Sequence, residues 1–170
     1  MLGPICDLGC GPGQIARYLH RQGVATLGVD LSLQMIREAR QLNPEIPFHT
    51  GNILALPDED NSWGGIAAFY CIIHIPSQKV VNALLEMRRV IKPGGVLLLT
   101  FHIGDEIEHV DKFWDIPVDL DFIYYNPIKM ESWLNEAGFE IQETLVREQN
   151  PEVEVATKRA YLFARKPGNS

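Results

Sequence analysis

Three glycines at alternate positions, Gly9, Gly11 and Gly13, follow the apolar run Pro4 to Leu8 and lead into a helical pattern over Gln14 to Gln22. A chain that leaves a strand, turns through three glycines and enters a helix builds a βα unit. Its turn either takes positive φ angles or lets a ligand come close to the backbone, and a Cβ would obstruct both. Ile15, Ala16, Tyr18 and Leu19 fall on one face of the helix, which stops at Gly23, a residue suited to a helix C-terminus. One such unit cannot bury its own strand, so the rest of the chain must supply more of them.

It does. Ala25 to Val29 reads as a second strand ending at Asp30, and Ser32 as the N-cap of a helix through about Gln41, closed by Asn43 and Pro44. Phe48 and His49 lie in a third strand ending near Gly51. A loop through Pro57 and the turn-rich Asp58 to Ser62 then leads to a fourth strand, Ile66 to Cys71, apolar almost throughout. Val80 to Val90 carries a helix face that Lys92-Pro93-Gly94-Gly95 terminates ahead of a fifth strand, Val96 to Phe101. Residues 103–126 lack a regular pattern. Pro127 to Ala137 is helical, and Phe139 to Val146 with Ala160 to Ala164 alternate as a final strand pair. The expected fold is α/β, a Rossmann-like three-layer αβα sandwich around a seven-stranded, mostly parallel sheet whose last strand is antiparallel. With 170 residues, 1–170 is expected to form one domain.

A formal net charge of −7 argues against a nucleic-acid partner, because neutralising phosphates takes clustered Lys and Arg. Lys158, Arg159, Arg165 and Lys166 are locally basic and read as a solvated strand pair and tail. No apolar run approaches the roughly 18 to 20 residues of a membrane span, and the first residues lack a signal-peptide pattern. Cys6, Cys10 and Cys71 form no CxxC pair, which suits buried free thiols in a reducing compartment, so the expected location is cytoplasmic. His102, Asp105, Glu106 and His109 match no common ligand spacing, and no metal is expected.

The glycine spacing also speaks to the ligand. A dinucleotide fingerprint would want glycine or alanine at position 14, where this chain has Gln14. Asp30 ends the second strand, where a carboxylate accepts both hydroxyls of a ribose. Dinucleotide enzymes and methyltransferases share that device, so Asp30 alone does not separate them.

The chain resembles the class I, Rossmann-like S-adenosylmethionine-dependent methyltransferases of the small-molecule group. The resemblance is carried by Asp7 to Gly13, Gly28 to Ser32, Gly51-Asn52 with Leu56-Pro57, Arg88 to Gly95, and Leu134 to Phe139 in that order. It implies S-adenosyl-L-methionine as cofactor and a small-molecule methyl acceptor as partner. Within the glycine loop, which includes Cys10 and Gly13, Asp7 and the backbone of Gly9 and Gly11 would meet the methionine part. Asp30 would hold the ribose diol, Leu31 and Ile53 would sandwich adenine, and Asn52 would face its amino group. Phe69 and Tyr70 would line the methionine and the transferred methyl. The family more often has Asp at position 52, a polar residue near 69 and Asp at 64, where this chain has Asn52, Phe69 and Gly64.

Methyl transfer needs positioning and exclusion of water more than side-chain chemistry, and a base is optional. His74, after the fourth strand, is the first candidate base, with Tyr70 beside it; His102, Tyr124 and Tyr125 are others that could face an acceptor. In the family the segment after the fifth strand often builds a substrate lid, here residues 103–126. Its Asp105, Glu106, Glu108, Asp111, Asp115, Asp119 and Asp121, with Phe113, Trp114 and Phe122, would draw a cationic or amine acceptor. The glycine loop starts at residue 7, whereas relatives carry helices before the first strand, so an exposed sheet face and self-association are expected. The alternative is a methyltransferase-like module that binds the cofactor without catalysis. A dinucleotide oxidoreductase is disfavoured by Gln14 and by the antiparallel end of the sheet.

Overall fold

A computed structural model describes residues 3–113 and 116–168. The first half alternates strands and helices: β1 (Ile5–Leu8), α1 (Gln14–Arg21), β2 (Thr26–Asp30), α2 (Leu33–Leu42), β3 (Phe48–Thr50) and β4 (Trp63–Phe69). A single 3-10 turn, Ile72–His74, precedes α3 (Ser77–Val90) and β5 (Ile91–His102). Then come β6 (Ile107–Phe113), β7 (Ile116–Ile123), α4 (Pro127–Glu136), β8 (Glu140–Arg147) and β9 (Arg159–Arg165). Seven strands form the main sheet in the order β3-β2-β1-β4-β5-β9-β8, parallel from β3 to β5, with β9 antiparallel to both of its neighbours.

Ser32 caps α2 as the sequence predicts, and the structure adds a second cap at α4. Ser32 Oγ accepts the Met35 amide at 3.3 Å, and Asn126 Oδ1 accepts that of Ile128 at 2.9 Å with Pro127 in the first turn. The main core joins β1, β4, β5 and β9 to α3 and α4, with Trp63, Phe101, Leu84, Met87 and Leu134 fully enclosed. A smaller cluster of Cys10, Ala16, Ile36, Ala39, Ile46 and Phe48 backs the glycine loop.

Four expectations need correction. β4 begins at Trp63 rather than Ile66 and ends at Phe69. A Cβ at Gly65 would lie 2.6 Å from the Val96 carbonyl oxygen, so glycine here lets two central strands approach. Lys92 to Gly95 does not separate α3 from β5. It forms a bulge inside β5, where the register passes from Trp63↔Ile91 to Gly65↔Val96, pinned by backbone bonds of Gly94 and Gly95 to Lys166 at 2.9 Å.

The basic tail is not solvated throughout. Lys166 is buried, its Nζ donating to Asn61 Oδ1 at 2.7 Å and to the Arg88 and Ile91 carbonyls at 2.8 and 2.7 Å, which caps the end of α3 with a cation. Arg159 is buried too and donates to the carbonyls of Val155 and Thr157. Finally, 103–126 is not irregular. β6 and β7 pair antiparallel as a separate two-stranded sheet that packs on the 3-10 turn. Trp114 and Asp115 lie outside the described residues.

Among the described residues no helix is long and apolar enough to cross a membrane, and no group of three or more His, Cys, Asp or Glu is placed to hold a metal ion.

Candidate functional site

A cavity of about 560 Å³ opens at the carboxyl ends of β1, β2 and β4, where the strand order reverses on either side of β1. That crevice is the ligand position of open α/β sheets, and the volume is that of a small-molecule site. Gly9, Asp30, Leu31, Asn52 and Ile53 line one end; Phe69, Tyr70 and His74 line the other. Asp7, Cys10, Gly11 and Gly13 stand behind the wall rather than in it. Met35, Cys71, Ile75 and Leu120 also line the cavity, and the sequence reading missed them.

The glycine loop is defined by what its backbone has already used. The amides of Gly9 and Cys10 donate to the Val29 carbonyl at 2.7 and 3.0 Å, and Gly11 donates to Asp30 Oδ2 at 2.9 Å. The Gly13 amide bonds the Cys10 carbonyl at 2.8 Å, and Pro12 has no amide hydrogen. Every N–H from residue 9 to 13 is therefore spent within the protein. Gly9, at φ 73°, presses so closely on the chain after β4 that a Cβ would lie 2.4 Å from Cys71 Cβ, so this glycine is as much a packing requirement as a ligand contact.

Asp7 is buried, and its Oδ2 accepts the Ala16 amide in the first turn of α1 at 2.8 Å. Burial, opposed by that hydrogen bond and reinforced by Asp30, pushes its carboxyl up to about 6. Asp30 is held at both oxygens, Oδ2 by Gly11 and Oδ1 by the Ser32 amide at 2.8 Å, so its orientation is fixed before any ligand arrives. Two carboxylates flank the loop, and the amides of residues 9–13 are spent. A phosphate would find repulsion there and no donor within the loop itself, whereas a cationic ligand would find complementary charge.

Leu31 is 74% exposed beside this end of the cavity, an apolar side chain without protein covering it, with Ile53 on the same wall. Asn52 Oδ1 already accepts the Leu54 amide at 2.9 Å, which leaves its NH₂ as the group with donors to offer. The loop carrying Asn52 and Ile53 is anchored from α3. Arg89 donates to Glu86, to Asp60 and to the Leu56 and Asp58 carbonyls, while Glu86 Oε1 accepts the Leu56 amide at 2.7 Å.

The other end is assembled from segments far apart in sequence. Tyr70 adopts φ 55°, uncommon for a residue with a side chain, and its amide bonds the Thr100 hydroxyl and carbonyl at 3.1 and 3.2 Å. Its ring stacks on His102 with centroids 4.8 Å apart, and its hydroxyl lies 3.5 Å from that of Tyr161. Burial, with the Tyr161 contact, pushes the Tyr70 phenol up to about 12. Burial, with Asp7 nearby, pushes the Cys71 thiol up to about 12 as well. His74 Nδ1 lies 3.1 Å from the Asp121 carbonyl of β7, and the ring meets Phe122 edge-on at 5.1 Å. A carbonyl only accepts, so Nδ1 carries the proton and Nε2 of the neutral ring keeps its lone pair.

The remaining candidates face elsewhere. His102 Nδ1 bonds the Thr157 hydroxyl at 2.7 Å, Tyr124 donates to Glu108 Oε2 at 2.5 Å, and buried Tyr125 donates to the Ile75 carbonyl. None of the three lines the cavity. Among the described residues no acidic side chain of the hairpin lines it: Glu108 takes Tyr124, Asp121 takes His109 at 2.9 Å, and Leu120 is the described hairpin residue on the wall. Asp115, one of the carboxylates expected to draw a cationic acceptor, lies outside the described residues.

A family model described as a methyltransferase domain matches residues 5–95, more than half of the chain. A malonyl-[acyl-carrier protein] O-methyltransferase of Enterobacter lignolyticus is 32% identical over 114 residues, covering 65% of this chain and 43% of that protein. A demethylmenaquinone methyltransferase of Renibacterium salmoninarum is 32% identical over 95 residues, covering 56% and 39%. The chain thus spans less than half the length of these curated relatives. A SAM-dependent methyltransferase of Methanosarcina mazei superposes with a TM-score of 0.87 at 19% identity, over 98% of this chain and 93% of that one, which speaks to the fold. Glycine loop, sheet order and family match agree: this chain belongs to the methyltransferase domain family, the class I S-adenosylmethionine-dependent methyltransferases.

Proposed function

We propose that residues 1–170 form one methyltransferase domain that binds S-adenosylmethionine in the 560 Å³ cavity and transfers its methyl group to a small-molecule acceptor. The observation that carries this reading is the glycine loop with all its amides spent and two carboxylates beside it, which favours a cationic cofactor over a phosphate-bearing one.

The bound cofactor supplies an activated methyl group on a sulfonium sulfur. Asp7 and Asp30 set a negative field on that side, and the Gly9 carbonyl, unlike those of Cys10, Pro12 and Gly13, is not already bonded within the loop region and would accept from an ammonium. Asp30, fixed at both oxygens, retains lone pairs for a ribose diol. Leu31 and Ile53 offer apolar surface to a flat ring, and the Asn52 NH₂ donates to a ring nitrogen rather than accepting from an amino group. Phe69 and Tyr70 flank the methyl, and His74 stands on the acceptor side.

Calorimetry with S-adenosylmethionine, S-adenosylhomocysteine and NAD tests this directly. The first two are expected to bind and NAD to give no heat; tight NAD binding would overturn the reading. Transfer of labelled methyl to an extract of small molecules separates an enzyme from a module that only binds. A cytoplasmic location belongs to the same proposal, supported by three free cysteines. So does self-association, supported by exposed Leu145 and Val146 on the edge strand β8 and checked by sedimentation velocity.

A further inference from the structure

We propose that the methyl acceptor is an uncharged molecule with an apolar body and a hydroxyl group, and that Nε2 of His74 takes the hydroxyl proton as the oxygen is methylated. This rests on the cofactor reading above.

The acceptor end of the cavity is walled by Tyr70, Cys71, His74, Ile75 and Leu120. Among the described residues, no Lys or Arg lines the cavity, and its carboxylate is Asp30, held at the opposite end by two backbone amides. A carboxylate acceptor would meet no counter-cation among the described lining residues, and an ammonium no carboxylate on the described acceptor wall, each losing water for an apolar wall. A neutral molecule carries no such penalty. Glu108 and Asp121 of the hairpin are taken by Tyr124 and His109, and Leu120 is the described hairpin residue on the wall, so the described closing wall selects against charge.

A hydroxyl needs a proton acceptor, and the walls supply one. The Tyr70 and Cys71 protons are held up to about 12, so both groups stay protonated at neutral pH. His74 is different, since the Asp121 carbonyl takes its Nδ1–H and leaves Nε2 as the lone-pair nitrogen. The acceptor O–H gives its proton to Nε2 while an oxygen lone pair forms the bond to the methyl carbon. The carbon–sulfur bond breaks with its electron pair kept on sulfur, which becomes a neutral thioether, and the imidazolium then passes its proton to water. The hairpin thus serves the chemistry twice, through Leu120 as wall and through the Asp121 carbonyl as the group that orients the base.

The test uses three probes of one shape, 2-naphthol, 2-naphthoate and 2-naphthylmethylammonium, titrated calorimetrically into the protein saturated with S-adenosylhomocysteine. The naphthol is expected to bind at least about tenfold tighter than either ion. Equal or tighter binding of an ion, or no binding of any probe, overturns the proposal while leaving the cofactor reading intact. Failure of S-adenosylhomocysteine itself to bind identifies the cofactor reading as the fault. With 2-naphthol as acceptor, His74→Gln is expected to lower kcat by about 100-fold with S-adenosylhomocysteine affinity unchanged. Nitrogen NMR of the wild-type protein should show His74 protonated at Nδ1 and bare at Nε2; the opposite tautomer, or an unaltered kcat in the variant, overturns the role of His74.

Discussion

The two ends of the cavity are built on opposite plans. The glycine-loop end comes from residues 7–13 and 30–32 with a short contribution from 51–53, and it is stiff: loop amides are bonded inward, Asp30 is held at both oxygens, and Asp7 is tied to α1. The hairpin end joins residues 70–75 to residues 120–125 through the His74–Asp121 and Tyr125–Ile75 bonds and aromatic contacts, with the hairpin forming a two-stranded sheet of its own. The first end is preorganised for a ligand of fixed chemistry. The second takes part of its wall from a separate hairpin, so that part can be rebuilt for another acceptor without disturbing the first.

Substitutions that strike one end and spare the other put this contrast at risk. Asp30→Ala should have the largest effect, weakening S-adenosylhomocysteine by about 100-fold in calorimetry, because it removes a charge-assisted ribose contact and frees the Gly11 amide. Unchanged affinity would end the ribose assignment.

Asp7→Asn should next separate stability from binding. The folded-state carboxyl, raised from an ordinary value near 3.8 to about 6, is stabilising in relative terms below the lower value and loses that contribution as pH rises through 6. The asparagine variant should therefore gain up to about 3 kcal/mol in denaturant unfolding at pH 8 and nothing at pH 4, while binding S-adenosylmethionine about tenfold more weakly at pH 8. In the wild type, cofactor affinity should climb between pH 5 and 7 as Asp7 ionises.

At the hairpin end, Leu120→Asp should weaken a neutral apolar acceptor about tenfold and leave S-adenosylhomocysteine within about twofold. An equal loss of both would show that the ends are coupled. The smallest expected effect is that of Arg89→Met, which loosens the loop under Asn52 and Ile53 and should cost cofactor affinity about threefold.

The contrast also explains what could be read from the sequence. The order β1 to β5, the terminal pair and the Ser32 cap were legible because apolar runs, N-caps and glycines act over a few residues. Asp30 stood out locally as the residue ending a strand, whereas Leu31 and Ile53 were indicated by the family resemblance; all three line the cavity. That the loop amides are spent was not, since it depends on β2 lying beside β1. Leu120 belongs to an alternation of apolar residues with Asp119 and Asp121 that is visible in the chain and was overlooked in favour of the segment's acidity. Within that acidity, Glu108 and Asp121 are taken by Tyr124 and His109. Lys166 and Arg159 were read as solvated because nothing local announces the distant carbonyls that bury them.

The insertion of β9 between β5 and β8 has a consequence for the living cell. On a ribosome, β5 has β4 on one side and, on the other, an open row of backbone groups along Val96-Leu97-Leu98-Leu99 until residues 159–165 emerge. At ordinary rates of synthesis the delay is roughly 3 to 11 s, long enough for an unpaired leucine-rich edge to meet another nascent chain. Yield in a host should thus respond to codon choice between His102 and Arg159, faster decoding narrowing the window in which the sheet is unfinished.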